Sequence, residues 1–410
     1  MNAGWLILLE SNTTGSGELF CAAARRLGLR PVVFARDPGR YPYLAENRID
    51  TCQLDTGDRL AVRKAADELA GVVGVTSSSE YFAAAAAELA GGLGLPHPDP
   101  AAIAACRDKA TQRRLLRAQG VAGPAFATAT SPHQAVELAS SLGLPVVLKP
   151  VSGSGSVGVR LCHHLGEVAE GAGAALAGEL AGIPAQRAVL VESCLDGPEF
   201  SVETFGTQVV GITAKHLGAS PYFVETGHDF PAPLPPAARA ALAQTALRAL
   251  VALGLGWGPA HVELRLGSTG PAVIEVNPRL AGGMIPNLVR SATGVDLIAA
   301  AVANAAGLPV RLAPSRAAGS AIRFLVAQRS GYFVAADGLD RAAACPQLSE
   351  AVLTRRPGVL TLEHSFRDRV GYLIAVGRDS HDAAAAADRA LACVHLRIEP
   401  VQRPALLAES

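Results

Sequence analysis

The chain has 410 residues, enough for two or three domains at about 150 residues each. Its 36 Lys and Arg balance 36 Asp and Glu, so no basic excess offers a nucleic-acid backbone a footprint. Half the residues are apolar and 18 % are charged, which excludes a disordered chain, and no run approaches ~20 uninterrupted apolar residues, so no membrane-spanning helix is expected. The apolar run Trp5–Glu10 predicts a short strand, and an Ala-rich stretch, Glu18–Leu27, predicts a helix behind it. Gly28 and Pro31 then introduce a second run, Val32–Ala35. Strand, helix and strand in that order make a βαβ unit with a parallel sheet, and Leu69–Val75 with Ser77–Leu89 repeats the idea. Residues 1–102 are therefore expected to form a small, doubly wound α/β domain that ends near the Pro-rich Leu95–Pro100. The loop Thr14-Gly15-Ser16-Gly17 lacks the third glycine of a dinucleotide fingerprint, with Phe20 in its place, so a nicotinamide site is not expected there. No basic region precedes the first apolar run, and the seven cysteines are scattered without a CxxC, which together read as free thiols in a reducing cytoplasm without a signal peptide.

Residues 103–191 change character and predict a small α+β, lid-like unit. Its expected elements are one helix over Ile103–Arg117, a helix over Pro132–Leu142, a strand over Leu144–Pro150, a Gly/Ser loop, a strand over Val159–Cys162, a helix over Leu165–Leu180 and a strand over Ala188–Glu192. Residues 192–410 read mostly as strands. Single helices are expected over Pro236–Leu253, Ile285–Ala306 and Ser380–Ala392, further strands near Ser320–Val326 and Arg369–Val376, and a hairpin pairs Val262–Leu266 with Ala272–Val276.

Only four of the 36 basic residues are lysines: Lys64, Lys109, Lys149 and Lys215. A lysine kept in so Arg-rich a chain points to a place that needs a compact ammonium. Lys149 ends a strand and precedes Ser152-Gly153-Ser154-Gly155-Ser156-Val157-Gly158. Glycines there let backbone N–H groups turn toward an anion, which suits a polyphosphate, although the loop is no Walker A motif. A strand ending in Glu192 leads through Cys194 and Leu195 to Glu199; the hinge backbone can pair with an adenine edge and a carboxylate can accept from ribose hydroxyls. Glu203 reads as a strand-face charge. Glu263 lies on one arm of the predicted hairpin, and period two places Glu275, Asn277 and Arg279 on one face of the other. Two carboxylates and an amide oxygen are hard ligands suited to Mg²⁺, and an adjacent Arg can neutralise an oxyanion. Val273, Ile274 and Val276 are expected to be buried beneath them.

Asp108-Lys109, Lys149 with its SGSGSVG loop, Glu192–Glu199 and Glu263 with Glu275-Val-Asn277-Pro-Arg279 form, in order, the motif set of the ATP-grasp superfamily, and three of the four lysines fall on or near it. The resemblance covers about residues 100–300. Within the superfamily, Pro221–Pro231, the AIRFL segment and DRVGYLIAVG look most like bacterial L-amino acid ligases of the bacilysin-synthetase type and like carnosine-synthase-like enzymes. The implied architecture is a multidomain α/β and α+β chain: the N-terminal doubly wound domain at 1–102, a small ATP-grasp subdomain at 103–191, and a large subdomain with C-terminal extension at 192–410.

The resemblance also implies roles. Lys109 and Lys149 would bind ATP phosphates beneath the loop of Ser152, Gly153, Ser154, Gly155, Ser156 and Gly158. Glu192 and Leu195 would hold adenine, and Glu199 the ribose. Glu263, Glu275 and Asn277 would coordinate two Mg²⁺, for which Mn²⁺ substitutes. Arg279 would stabilise an acyl phosphate and a tetrahedral intermediate. Glu225 and His228 would meet an amino-acid substrate, with Gly282 and Gly283 leaving room in its pocket. Lys215 reads equally as a γ-phosphate ligand or a plain strand lysine, and His261 as a buried structural histidine. The implied activity is ATP-dependent ligation of a small carboxylate to an amine by a cytoplasmic homodimer. The rivals are a bicarbonate-using carboxylase on the same fold and a synapsin-like ATP-binding module.

Overall fold

The computed structural model describes residues 4–12, 16–153, 155–178, 180 and 185–400. Ser154 of the glycine loop, and Thr14 and Gly15 of the N-terminal loop, lie outside the described residues. The chain divides into two compact units. The first holds the chain up to Gly123 with Ser201–Ile212 and Pro235–Arg316; the second holds Pro124–Phe200, Thr213–Leu234 and the chain from Ala317 onward.

The first unit opens with an all-parallel sheet whose strands run in the order Asp50–Gln53, Arg30–Ala35, Trp5–Leu9, Val72–Thr76. Leu6, Ile7, Leu8 and Leu9 are all fully buried, which is why this strand reads as a continuous apolar run and not as an alternating one. Ile7 and Leu9 pack with Val32, Phe34 and Val62, and with Ala86 and Leu89 of the helix Ala83–Gly92. The doubly wound expectation for this segment matches the observed order. Gly74 belongs to this sheet because a side chain there has no room: an added Cβ would lie 2.5 Å from the Ala305 carbonyl oxygen. Gly74→Ala is expected to destabilise the first unit by about 1–3 kcal/mol, read as a lower melting temperature in calorimetry. An unchanged melting profile would contradict this packing.

Two predicted helices are each broken in the structure. Ile103–Arg117 is instead Pro100–Arg107 followed by Lys109–Ala118, with Asp108 extended between them. The Asp108 carboxylate accepts from the Thr111 N–H at 2.6 Å and so starts the second helix. Ile285–Ala306 is Ile285–Thr293 and Leu297–Ala305, bent by 106°. Gly294 takes φ +80° to end the first, and Asp296 caps the second through the Ala299 N–H at 2.9 Å. Among the described residues no single helix is long and apolar enough to cross a membrane.

The second unit contains an antiparallel sheet in the order Phe126–Ala129, Val189–Ser193, Val146–Pro150, Arg160–Cys162. The helices Pro132–Leu142 and Leu165–Ala177 bury Ala135, Ala139, Val168 and Ala172 against Val146, Leu148, Val189 and Val191. Farther along the chain, Gln208–Leu217, Glu225–Phe230, Gly319–Val326, Arg369–Gly377 and Leu348–Leu353 pair antiparallel in that order. The Ala-rich helix Ser380–Leu391 covers them with Ala383, Ala386 and Ala387, which sit directly on Ala321 and Ala375.

Candidate active site

In the first unit, the hairpin Pro259–Gly267 with Gly270–Asn277 places Glu263 directly opposite Glu275, and His261 opposite Asn277. Val262, Leu264, Val273 and Val276 are fully buried on its other face. A register shift after Glu263 pairs Leu264 with Val273. It is this bulge that lets Val273 point into the core while Glu275, two residues on, faces Glu263. Ile274, expected to be buried, is only half-buried at the bulge; its carbonyl accepts from the Arg113 guanidinium.

Lys109 is the first residue of its helix, and its ammonium donates to Glu275 Oε1 at 2.7 Å. Behind it the fully buried Gln112 amide clamps Val276, donating to its carbonyl at 2.8 Å and accepting from its N–H at 2.9 Å. The helix break at Asp108 therefore places a compact cation against the acidic hairpin. Arg279 lies beyond the strand end, so strand periodicity does not set its direction. Its Nε donates to Glu80 Oε2 at 2.6 Å, and Glu80 Oε1 also accepts from Arg107 at 3.0 Å. Sequence reasoning missed Glu80. The available signal was its position just past the strand Val72–Thr76, at the carboxyl end of a parallel sheet where ligands bind.

His261 is buried between Glu203 and Glu263, its Nδ1 2.9 Å from Glu203 and its Nε2 3.0 Å from Glu263. Burial opposes charge on this imidazole, but the Glu203 charge and the hydrogen bonds to both carboxylates outweigh it and raise its pKa to about 9. Glu203, expected as a strand-face charge, is thus an interior ion-pair partner. A Cβ added at Gly282 would meet nothing within 4 Å, and Gly283 holds φ +58°.

Among the described residues no group of three or more His, Cys, Asp or Glu is arranged to hold a metal ion. Glu263, Glu275 and Asn277 fit a hard divalent cation differently. Two facing carboxylates and an amide supply part of an oxygen shell, leaving the rest to phosphate oxygens and water. All seven cysteines are free. Burial pushes Cys21 and Cys162 up to about 11 and Cys106 up to about 12, which keeps these thiols protonated and inert.

In the second unit, Lys149 Nζ lies 2.7 Å from Glu192 Oε2, both buried on neighbouring strands. The glycine loop follows. Ser152 donates through its N–H and hydroxyl to Gln186 Oε1 at 3.2 and 2.9 Å. Gly153, Gly155 and Gly158 have positive φ, as does Ser156 at +61°. A side chain on Gly155 would overlap the Phe366 ring. Leu195 lies between the strands Val189–Ser193 and Glu199–Phe205, where its carbonyl faces the Cys194 thiol at 3.6 Å.

Lys215 bridges Glu199 Oε1 at 3.0 Å and Glu225 Oε1 at 2.8 Å. Glu225 Oε2 accepts from Arg369 at 2.5 Å and lies 3.6 Å from His228 Nε2. Arg369, which sequence reasoning missed, also stacks 3.8 Å above the Phe324 ring. Residues singled out for different tasks, Glu199, Lys215, Glu225 and His228, are therefore one ionic network. Burial would raise the Glu225 pKa, but the charges of Lys215, His228 and Arg369 hold it well below the ordinary 4.5. A carboxylate depressed in this way stabilises the fold at pH values above its unfolded pKa, and the contribution is lost as pH falls through and below that value. Thermal unfolding is expected to lose stability steeply below about pH 4.5 in the wild type and less steeply in Glu225→Gln. Equal acid sensitivity of the two would contradict the network.

Residues 142–287 match the ATP-grasp domain family, and residues 323–399 match the L-amino acid ligase C-terminal domain 2 family. An uncharacterized protein of Sinorhizobium fredii is 39 % identical over 403 residues, covering 96 % of this chain and 83 % of that protein. Human carnosine synthase 1 is 33 % identical over 239 residues, covering 53 % of this chain but only 28 % of that protein's length. Among solved structures, an L-amino acid ligase from Bacillus licheniformis superposes with a TM-score of 0.79 at 23 % identity, over 97 % of this chain and all of that one, and so shows the fold. The facing carboxylates, the Lys149–Glu192 pair and the glycine loop lie within the residues of the ATP-grasp match, and Lys109, the partner of Glu275, precedes it in the chain. The chain belongs to the ATP-grasp ligases, ADP-forming enzymes that make a C–N bond.

Proposed function

We propose that this chain activates the carboxylate of an amino acid as an acyl phosphate and couples it to an amine, forming an amide or peptide bond and releasing ADP and phosphate. The observation that carries this is Arg369. It comes from the L-amino acid ligase C-terminal domain and holds the ionised Glu225 beside His228. Carboxylate and guanidinium held side by side complement the ammonium and carboxylate groups of an amino acid.

The substrate carboxylate attacks the γ-phosphorus of ATP; the amine then attacks the acyl carbon, and phosphate leaves. Lys109 and Lys149 neutralise charge on the phosphates. The glycine loop keeps water from the acyl phosphate. Glu192 and Leu195 hold the adenine, and Glu199, tied to Lys215, the ribose. Arg279, oriented by Glu80, stabilises the oxyanion of the tetrahedral intermediate. Glu263, Glu275 and Asn277 would hold Mg²⁺, or Mn²⁺ in its place, and when bound the ions supply charge neutralisation across the phosphate oxygens. The enzyme is read as a cytoplasmic homodimer acting on small molecules, with neither nucleic acid nor membrane as partner.

Phosphate release from ATP, screened over amino acids singly and in pairs, tests this function. Release that requires an amino acid pair is the expected result; release that requires bicarbonate and no amine would make the enzyme a carboxylase, and no turnover would favour a binding module. The open space at Gly282 leads to a further expectation. Gly282→Trp should raise KM for bulky partners by about tenfold or more while sparing small ones. An unchanged preference in the same screen would remove Gly282 from the pocket.

A further inference from the structure

Glu203 and His261 have no task in the reaction above, yet both are buried in the first unit. A carboxylate and an imidazole are costly to take out of water, and here their contacts form a single line. The Ser201 hydroxyl donates to Glu203 Oε1 at 2.7 Å. His261 Nδ1 lies 2.9 and 3.1 Å from the two Glu203 oxygens, and its Nε2 lies 3.0 Å from Glu263 Oε1. An imidazole with a carboxylate at each nitrogen acts as a donor at both.

The hairpin backbone already sets Glu263 opposite Glu275. What it leaves open is the rotation of the Glu263 side chain, which has three rotatable bonds. We propose that His261, braced by Glu203, is a positioning residue that fixes the Glu263 carboxylate for the divalent cation. This rests on the reading of Glu263 as a cation ligand. Polar groups that orient a metal ligand from behind are typically worth about 10–100-fold in metal affinity. The same line explains why an interior acid sits at position 203, where nothing else in the reaction needs one.

The test uses the full chain and follows Mn²⁺ binding by electron paramagnetic resonance, with ADP present. His261→Asn keeps a donor near the Nδ1 position for Glu203 and removes the one to Glu263. His261→Gln carries a donor near the Nε2 position. His261→Asn is expected to weaken Mn²⁺ binding by about 10–100-fold, with metal-free ADP affinity unchanged, and His261→Gln to recover most of the loss. Mn²⁺ affinity equal to wild type in His261→Asn would overturn the proposal. Should that variant fail to fold, Glu203→Gln removes the brace instead. Weaker Mn²⁺ binding in it supports the positioning line, and wild-type affinity overturns it. Wild-type protein that takes up no Mn²⁺ with ADP would show that the cation assignment of Glu263 itself has failed, and the positioning role with it.

Discussion

Lys109→Met is expected to lower amine-dependent ADP release by about 10³-fold or more, the loss that follows from the role proposed for its ammonium in neutralising phosphate charge. The lysine is also half of a partly buried ion pair with Glu275, at 2.7 Å. Removing it leaves Glu275 without that cation, a change that costs less than the about 3–5 kcal/mol of a fully buried pair because water reaches part of Glu275. Two effects are therefore mixed in the single variant, and a second one separates them. Lys109→Met with Glu275→Gln removes both charges together, so stability should largely return while activity stays lost. A coupled ADP assay beside thermal unfolding reads both. Full activity in Lys109→Met, or recovery of activity along with stability in the double variant, would contradict a role in the reaction.

The second large effect is expected at Arg279. Arg279→Ala should reduce kcat by about 10²–10³-fold while KM for ATP changes little, as for loss of a group that acts on the oxyanion. Arg279→Lys should not restore it, because the guanidinium Nε donates to Glu80 at 2.6 Å while its Nη1 donates to the Leu280 carbonyl at 2.9 Å, a fork that an ammonium cannot copy. Glu80→Gln keeps an acceptor for the guanidinium but removes the charge, and a fall in kcat of about tenfold is expected. If Arg279→Ala raised KM for ATP and left kcat intact, Arg279 would be a nucleotide ligand instead.

Parts of the molecule with a strong local signal were legible in the sequence. Trp5–Leu9 and Arg30–Ala35 were readable because they are largely buried on both faces and so appear as apolar runs, whereas the polar, mostly exposed edge strand Asp50–Gln53 carried no such signal. The Glu263 and Glu275 hairpin was readable from its turn and flanking apolar residues. Its bulge was not, because a one-residue change of phase leaves no mark on composition. The break at Asp108 was hidden because Cys106–Leu115 holds no Gly or Pro to mark it, although Asp is a favoured residue at a helix start. Glu80 and Arg369 were out of reach for a different reason. Their partners, Arg279 and Glu225, are 199 and 144 residues away along the chain, and only the tertiary fold makes them neighbours. Lys215 was recognisable as unusual from its rarity, but its place between Glu199 and Glu225 depends on side-chain contacts across separate strands.

Oxygen tracing tests the central chemistry most directly. With amino acids labelled with ¹⁸O in the carboxyl group, the carboxylate oxygen that attacks phosphorus leaves with the phosphate when the amine displaces it. Inorganic phosphate carrying one ¹⁸O per turnover, formed only when an amine acceptor is present, is the predicted result. Unlabelled phosphate during amide formation would contradict activation through an acyl phosphate.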